Sequence, residues 1–424
     1  MLSPRALLTV ASLALLLACN PGSSDDTTTT ASSTVTTGEP EPTTSLPGTG
    51  TSAFTTTEPT TVTTTGDPTT SEPVTTSTTG GPATTTGEDS TTGETTTGEP
   101  VARNYFPGYY ILARTDNFAK ILAYPQLDNY VGVHQRYFWS DWETTPKDYA
   151  PGLEQLDKDI AAVKQQGKKL LVFLNYEKSD GTHCVPPDLL MKNSEFCSGD
   201  FCGELPNGGA ALPIYWNEAV AGRMRAWLEA MADHLENHPD RDLIAGITLP
   251  ETATGDYDLP ALMATGYTPD KYLASVQGTL TGLVDAAPSL IVFQYINGGF
   301  KPSPGEYFVK LADWALEQPG IGFGIPDLVP KNPNPTNADM VLRSAKYQGR
   351  LPMNPDIQAP DYGLDRTDSI DDTLTLALAP APEGMLAGYV SIAFNAGPGP
   401  NAFTLDEFSA EIPNRPTNQV APTW

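Results

Sequence analysis

The chain has 424 residues, and 24 basic against 51 acidic side chains give it a formal net charge of −27 at pH 7. Nucleic acids and anionic lipid surfaces carry the same sign of charge, so the composition argues against both as binding partners.

Residues 1–19 have the pattern of a secretory signal. Arg5 precedes an apolar run that ends in Leu-Leu-Ala-Cys, and this run is too short to cross a bilayer as a lasting helix. The four residues resemble a bacterial lipobox, which implies that Cys19 is lipidated and becomes the first mature residue. We therefore expect a lipid anchor at the outer membrane or cell surface. The alternative is an ordinary cleaved signal in which the cysteine is incidental.

Residues 20–103 form a linker dominated by Thr, with Ser, Gly, Pro and Glu, and Phe54 is its only aromatic residue. Such a composition buries too little apolar surface to offset the entropy lost on ordering, so it predicts a disordered tether. A flexible chain of about 80 residues has a root-mean-square span of about 50 Å. The predicted role of the tether is to hold the folded part away from a membrane.

Residues 104–424 alternate short apolar runs with stretches of helical periodicity. Eight runs of 5–9 residues have the length and apolar character of buried strands. They are residues 108–113, 131–139, 169–176, 243–249, 290–296, 321–325, 351–357 and 386–394.

Helical patterns lie between most of these runs. Gly167 follows the first of them as a C-terminal cap, Pro269 begins another at its first helical position, and Pro319 follows a helix end. The predicted helices are residues 153–166, 216–235, 269–286, 305–317, 338–347 and 369–378.

Strands that alternate with helices in this way predict an α/β fold, in which a parallel sheet closes as a (β/α)8 barrel of the TIM type. The alternative is an open, doubly wound sheet. The first predicted strand is not followed by a Gly-rich phosphate-binding loop, and this disfavours the alternative.

Three cysteines, Cys184, Cys197 and Cys202, lie in one loop after the third predicted strand. An extracytoplasmic location favours disulfides, and three residues allow one bridge and leave one thiol, without fixing which two pair. His183 beside Cys184 raises a metal site as a lesser alternative. We expect a stapled loop that shapes a binding cleft.

In a barrel of this type, reactive groups lie at the C-terminal ends of the strands. The polar and aromatic residues at those ends are Arg136, Tyr137, Trp139, Asp141 and Trp142 (second strand), Asn175, Tyr176 and Glu177 (third), Glu251 (fourth), Gln294, Tyr295 and Asn297 (fifth), Asp327 (sixth), Asp356, Gln358 and Asp361 (seventh) and Asn395 (eighth).

Two stretches resemble the clan of retaining (β/α)8 glycoside hydrolases. One is GVHQRYFWSDWETTPKDYAPGLEQLDKDIAAVKQQGKKLLVFL (132–174), which is similar to the second strand, loop, helix and third strand of those enzymes, including an Arg after the second strand. The other is YWNEAVAGRMRAWLEAMADHLENHPDRDLIAGITLPET (215–252), which is similar to the helix that leads into the fourth strand and its acid/base Glu.

The resemblance implies that Glu251 is the general acid/base. A carboxyl flanked by apolar residues at a strand end is suited to protonating a leaving oxygen. In the clan the nucleophile is a Glu at the end of the seventh strand, but no Glu stands in residues 351–382. Asp356 is the first substitute, with Asp327 and Asp361 behind it.

The remaining residues at the strand ends are candidates for substrate binding. A flat aromatic face suits the C–H face of a sugar, and Arg136 is able to hold a carboxylate nucleophile by a charge-assisted hydrogen bond. A structural ion pair at the barrel mouth is the alternative for Arg136. The candidates are Arg136, Tyr137, Trp139, Trp142, Asn175, Tyr176, Gln294, Tyr295, Asn297 and Asn395.

These residues predict a surface-anchored hydrolase of glycosidic bonds in a polysaccharide or oligosaccharide, acting as a monomer without a metal or other cofactor and touching the membrane only through its anchor. The alternative is a non-catalytic carbohydrate-binding lipoprotein on a degenerate glycosidase barrel. A metal-dependent hydrolase is disfavoured because the four His residues are not grouped in a ligand motif. An esterase is disfavoured because the sequence has no Gly-x-Ser-x-Gly elbow.

Overall fold

The computed structural model describes residues 102–113, 117–178, 182–207, 210–254, 257–326, 328, 330, 337–358, 369–394 and 403–423. The predicted signal with Cys19 and most of the predicted linker lie outside these ranges, as do Asp327, Asp361 and Asn395. Within the ranges, none of the helices combines the length and the apolar character that crossing a membrane requires.

Eight parallel strands make up one sheet in the described part of the chain. They are β1 (Gly108–Ala113), β2 (Gly132–Phe138), β3 (Lys169–Asn175), β4 (Ile244–Glu251), β5 (Val292–Tyr295), β6 (Ile321–Gly324), β7 (Asp356–Ile357) and β8 (Tyr389–Ala393). Their order across the sheet is β6-β5-β4-β3-β2-β1-β8-β7, which is the cyclic order of a barrel cut between β6 and β7.

Backbone hydrogen bonds close the cut between β6 and β7. Phe323 in β6 forms a parallel bridge with Met353, just before β7. The Phe323 N–H donates to the Pro352 carbonyl at 3.0 Å, and the Phe323 carbonyl accepts from the Asn354 N–H at 2.8 Å. The predicted (β/α)8 barrel is therefore confirmed.

The seventh strand is much shorter than its predicted range of 351–357, because it pairs as a strand only over Asp356–Ile357. Pro352 and Pro355 interrupt the range, and neither has an N–H to donate to a neighbouring strand. The other seven strands begin and end within three residues of their predicted bounds.

Helices surround the barrel and include all six that the periodicity predicts. Those described are α1 (Phe118–Leu122), α2 (Trp139–Trp142), α3 (Ala150–Gln165), α4 (Glu218–Asn237), α5 (Leu259–Ala264), α6 (Pro269–Ala286), α7 (Pro304–Ala315), α8 (Asn337–Leu342), α9 (Ile370–Leu378) and α10 (Leu405–Glu411). The unpredicted α1, α2, α5 and α10 have 4–7 residues each, too few for a clear helical period.

The barrel strands are buried on both faces, which explains why they appear in the sequence as continuous apolar runs. In β3, Leu170, Val172 and Leu174 belong to the core between barrel and helices. Leu171 and Phe173 face the barrel interior instead, in two successive layers. This alternation fixes which side chains point toward the axis, and it continues to the C-terminal end of the strand.

The connection between β3 and α4 is a compact loop attached to the barrel. Cys197 and Cys202 form a disulfide across a short hairpin, which resolves the open pairing, and the Cys184 thiol is buried and free. An antiparallel bridge between Lys178 and Ala211 ties the loop to the end of β3. The stapled loop that the cysteines predict is therefore present.

Candidate active site

A pocket opens at the C-terminal ends of the barrel strands. Its polar lining includes Arg136 from β2, Asn175 and Glu177 from the end of β3, and Glu251 from β4. The β3–α4 loop contributes an aliphatic wall through Leu212. The loop after β3 therefore shapes this pocket directly.

Glu251 is the last residue of β4 and lies partly exposed in the pocket. The pairing of β4 with β5 shifts its register between Leu249 and Glu251, where Pro250 has no N–H for the ladder. Strict alternation would send Glu251 to the outer side, where Leu249 packs in the core under the helices. The register shift re-aims the carboxyl into the pocket.

Asn297 holds one oxygen of Glu251. Its side-chain amide donates to Glu251 Oε2 at 2.8 Å, and its backbone N–H donates to Thr252 Oγ1 at 3.1 Å. A Cβ atom on Gly299 would lie 1.9 Å from the Thr252 carbonyl oxygen, so glycine is required where the loop after β5 approaches the end of β4. The hydrogen bonds of Asn297 and the close approach of Gly299 therefore hold the ends of β4 and β5 together beside Glu251.

Glu177 lies two residues beyond β3 in the same pocket. The Tyr215 hydroxyl donates to Glu177 Oε1 at 2.5 Å. Burial raises the pKa of Glu177 well above its usual range, the nearby Glu251 raises this pKa further, and the Tyr215 hydrogen bond lowers it. The environment therefore favours a neutral Glu177 beside Glu251.

Of the sequence-based candidates for the partner of Glu251, Asp327 and Asp361 lie outside the described residues. Among the described residues, the carboxyl that lines the same pocket as Glu251 is Glu177. The alternation of side chains along β3 is the sequence signal that places Glu177 in the pocket. Leu171 and Phe173 face the barrel interior, and Asn175 and Glu177 continue the same alternation into the pocket.

Asp356 lies in β7, inside the barrel, with none of its surface exposed. The Tyr295 hydroxyl donates to Asp356 Oδ1, and His134 Nδ1 lies 3.9 Å from the same oxygen. The Asn354 amide donates to the Tyr295 hydroxyl at 3.1 Å. Complete burial in this network makes Asp356 a poorer candidate than Glu177 for contact with a substrate.

Arg136 and His134 both face inward from β2. The Arg136 guanidinium lines the pocket and lies over the Phe173 ring, with Cζ 4.9 Å from the ring centroid. Burial lowers the pKa of His134 well below its usual range, and the charge of Arg136 lowers it further. At neutral pH, Arg136 is therefore charged and His134 is neutral.

Tyr137, Trp139 and Trp142, which the sequence suggests as substrate platforms, lie outside the barrel and away from the pocket. The Tyr137 hydroxyl donates to Asp159 in α3 at 2.9 Å. Trp139 has no exposed surface and stacks on Trp227 of α4, with centroids 6.0 Å apart. Trp142 packs on Tyr137, with centroids 4.7 Å apart. Tyr137 has the outward phase of β2, and the chain then turns into α2.

The other predicted binding residues divide by the same alternation. Asn175 and Tyr295 line the pocket. Tyr176 and Gln294 lie buried on the outer side, where the Gln294 amide donates to the Pro250 carbonyl. Across the described residues, no three His, Cys, Asp or Glu side chains are grouped so that they could hold a metal ion.

No protein-family model matches this chain, and no curated protein matches its sequence. Among solved structures, the catalytic domain of β-amylase from Paenibacillus polymyxa is similar over 74% of this chain and 99% of that chain, with a TM-score of 0.50 and 10% sequence identity. GH5_18 from Streptomyces cattleya, in complex with GlcNAc, is similar over 69% of this chain and 70% of that chain, with a TM-score of 0.44 and 13% identity. Endo-glycoceramidase II from Rhodococcus sp. is similar over 73% and 78%, with a TM-score of 0.41 and 13% identity. At these identities the similarity is one of fold alone.

Proposed function

We propose that the barrel hydrolyses glycosidic bonds in a polysaccharide or oligosaccharide by a two-carboxylate mechanism, with Glu251 as the general acid/base. The observation that carries the proposal is that Glu251 shares one open pocket at the barrel mouth with a second carboxyl, Glu177. A β-amylase domain with a similar fold is compatible with this class of reaction.

Glycosidic hydrolysis needs a proton for the leaving oxygen and a negative charge near the anomeric carbon, where positive charge develops. A pair of carboxyls supplies both when one is neutral and the other ionised. Asn297 fixes the orientation of Glu251 by donating to its Oε2 atom. Arg136 lines the same pocket and favours the ionised member of the pair.

The proposal includes the setting in which the barrel works. We propose that a lipid on Cys19 anchors the chain at the outer membrane or cell surface, and that the linker of residues 20–103 gives the barrel its reach. The proposed partner is a carbohydrate. The enzyme is proposed to act as a monomer, without a cofactor.

A panel of polysaccharides and oligosaccharides tests the proposed activity with wild type, Glu251→Gln and Glu306→Gln. Glu306 is an exposed residue of α7 that pairs with Lys310 in the same helix, so its variant controls for the loss of a carboxylate. We expect Glu251→Gln to lose about 10²–10⁴-fold in kcat, because general acid–base catalysis contributes that much. Lack of hydrolysis by the wild type across the panel would refute the proposal.

A second candidate function is carbohydrate binding without cleavage. One observation favours it: Asp356, on the strand where the resembled clan has its nucleophile, is buried and bound by Tyr295. Calorimetric titration of the same glycans separates the two functions. Saturable binding with no product after prolonged incubation supports the second candidate over the first.

A further inference from the structure

We propose that Glu177 is the second catalytic carboxyl of this pocket and the one that protonates the leaving oxygen, while Glu251 acts in its ionised form as the base. This inference rests on the proposed hydrolysis of glycosidic bonds. It leaves Glu251 the base half of the general acid/base role and assigns the acid half, protonation of the leaving oxygen, to Glu177. It adds a Glu that follows the third strand to the Asp candidates of the sixth and seventh strands.

The two carboxyls come from neighbouring strands that end at the same edge of the barrel. β3 and β4 pair in parallel, with Phe173 opposite Thr248, and both chains continue from there into the pocket. Glu177 follows the inward alternation of β3, and the register shift at the end of β4 turns Glu251 toward it.

The surroundings of the two carboxyls differ in a way that separates their roles. Glu177 receives one hydrogen bond from a neutral donor, the Tyr215 hydroxyl. Glu251 is partly exposed and receives the Asn297 amide. Both side chains have intermediate exposure, and the packing around Glu177 together with the nearby Glu251 raises the pKa of Glu177 well above its usual range. A single proton shared by the pair therefore belongs on Glu177.

Several titratable groups face Glu177 from the elements packed around it. The side chains that interact with it electrostatically are Glu251, Tyr176, Tyr215, Tyr272 and Cys184. Burial raises the pKa of each of these tyrosines and of the Cys184 thiol well above their usual ranges, so all four are neutral near pH 7. Among these groups, Glu251 is the one whose negative charge raises the pKa of Glu177.

Two basic side chains also line the pocket. Lys178 directs its ammonium to Asp141, with Nζ 2.7 Å from Oδ1, and Arg136 lies over the Phe173 ring. The groups that act directly on Glu177 are its own burial, Glu251 and the Tyr215 hydroxyl, and the first two favour the neutral acid.

The chemical step balances without an added reactant other than water. The O–H bond of Glu177 breaks as its proton passes to the glycosidic oxygen, which keeps the electron pair of the breaking C–O bond and leaves as an alcohol. Water forms the new bond to the anomeric carbon and gives its proton to the Glu251 carboxylate. Transfer of that proton back to Glu177 restores the starting state.

Infrared titration of the carboxyl groups tests where the proton lies without reference to activity. In the difference between wild type and Glu177→Gln at pH 7, we expect the carbonyl band of one neutral carboxylic acid. In Glu251→Gln this band should titrate at lower pH, because the neighbouring negative charge is gone. Glu306→Gln, on the exposed face of α7, should keep the wild-type band. Loss of the band only in Glu251→Gln would assign the proton to Glu251 and overturn the proposal.

Substrate reactivity supplies the catalytic half of the test. An aryl glycoside with an acidic phenol leaves without protonation, whereas a natural glycan needs the proton. We expect Glu177→Gln to lose about 10²-fold or more on the glycan and much less on the aryl glycoside, and Glu251→Gln to lose on both. Normal turnover of the glycan by Glu177→Gln refutes the role of Glu177 alone. A wild-type protein that hydrolyses neither substrate refutes the proposed function itself.

Discussion

Replacement of Tyr215 by Phe tests the one hydrogen bond that opposes proton retention on Glu177. The Tyr215 hydroxyl donates to Glu177 Oε1 at 2.5 Å, and this bond lowers the pKa of Glu177 against the effects of burial and of Glu251. In Tyr215→Phe the ionised form of Glu177 loses a donor while the other two effects remain. The pKa of Glu177 therefore rises.

The size of the effect follows from the energy of one hydrogen bond to a charged acceptor, about 1.5–3 kcal/mol. One pH unit corresponds to about 1.36 kcal/mol, so the basic limb of the pH–activity profile should move up by about one to two pH units. The Tyr215 ring stacks on Tyr272 with centroids 5.3 Å apart, and Phe retains that contact. The substitution therefore changes the hydrogen bond more than the packing.

The assay is kcat/KM against pH on a hydrolysed glycan, with infrared titration of the carboxyl in parallel. Tyr109→Phe is the matched control, because its hydroxyl donates to the Arg415 carbonyl at 2.7 Å near the N-terminal end of β1. The control should keep the wild-type profile. A basic limb that stays in place or moves down in Tyr215→Phe would show that Glu177 is not the group whose deprotonation ends activity.

Three further substitutions test the fold and the site. The pKa of Glu177 is raised in the folded state, so its contribution to stability is present in full below its unfolded pKa of 4.5 and is lost as pH rises. Thermal melts should therefore show Glu177→Gln becoming more stable than wild type as pH rises above that value. A difference in melting temperature between the two proteins that is the same at pH 4 and pH 8 would contradict this. Asn217 caps α4, and its side-chain amide also donates to the disulfide hairpin. In urea titrations, Asn217→Ala should therefore lower the free energy of unfolding by about 1–2 kcal/mol. The control Asn237→Ala, at an exposed position at the other end of the helix, should lower it by about 0.5 kcal/mol or less. Gly299→Ala forces apart the loops that hold Glu251, so it should lower activity and should lower the free energy of unfolding by about 1–3 kcal/mol. In the control Gly222→Ala, the new methyl meets open space in α4 and should lower neither. Full activity in Gly299→Ala would refute the close contact of the two loops.

Much of the barrel was predictable because local chemistry determines it. Residues 108–113 and 269–286 match β1 and α6 at both ends. α6 begins with Pro269 in its first turn, and Pro288 follows soon after its end, so prolines near both ends indicate its bounds. β7 was overpredicted because an apolar run with interspersed prolines lacks the N–H donors that a full strand needs.

The site was only partly predictable, because a one-residue change of phase moves a side chain from the pocket to the outer core. The resemblance points to Glu251, although simple alternation would direct its side chain outward, because nothing in the sequence marks the register shift beside Pro250. Glu177 was present among the residues at the strand ends and had the right phase. Trp139 had the right position along the chain but packs into the helical layer on Trp227.

The junction of β6 and β7 has a consequence for how the barrel keeps its shape. It is the thinnest seam among the described strands, held by the bridge of Phe323 to Met353 and the hydrogen bonds around it. The hydrogen bond from Tyr295 of β5 to Asp356 of β7 crosses the barrel interior past this seam. A parting of the seam would draw Asp356 away from the Tyr295 hydroxyl, so this hydrogen bond couples closure of the barrel to the tyrosine ring that lines the pocket.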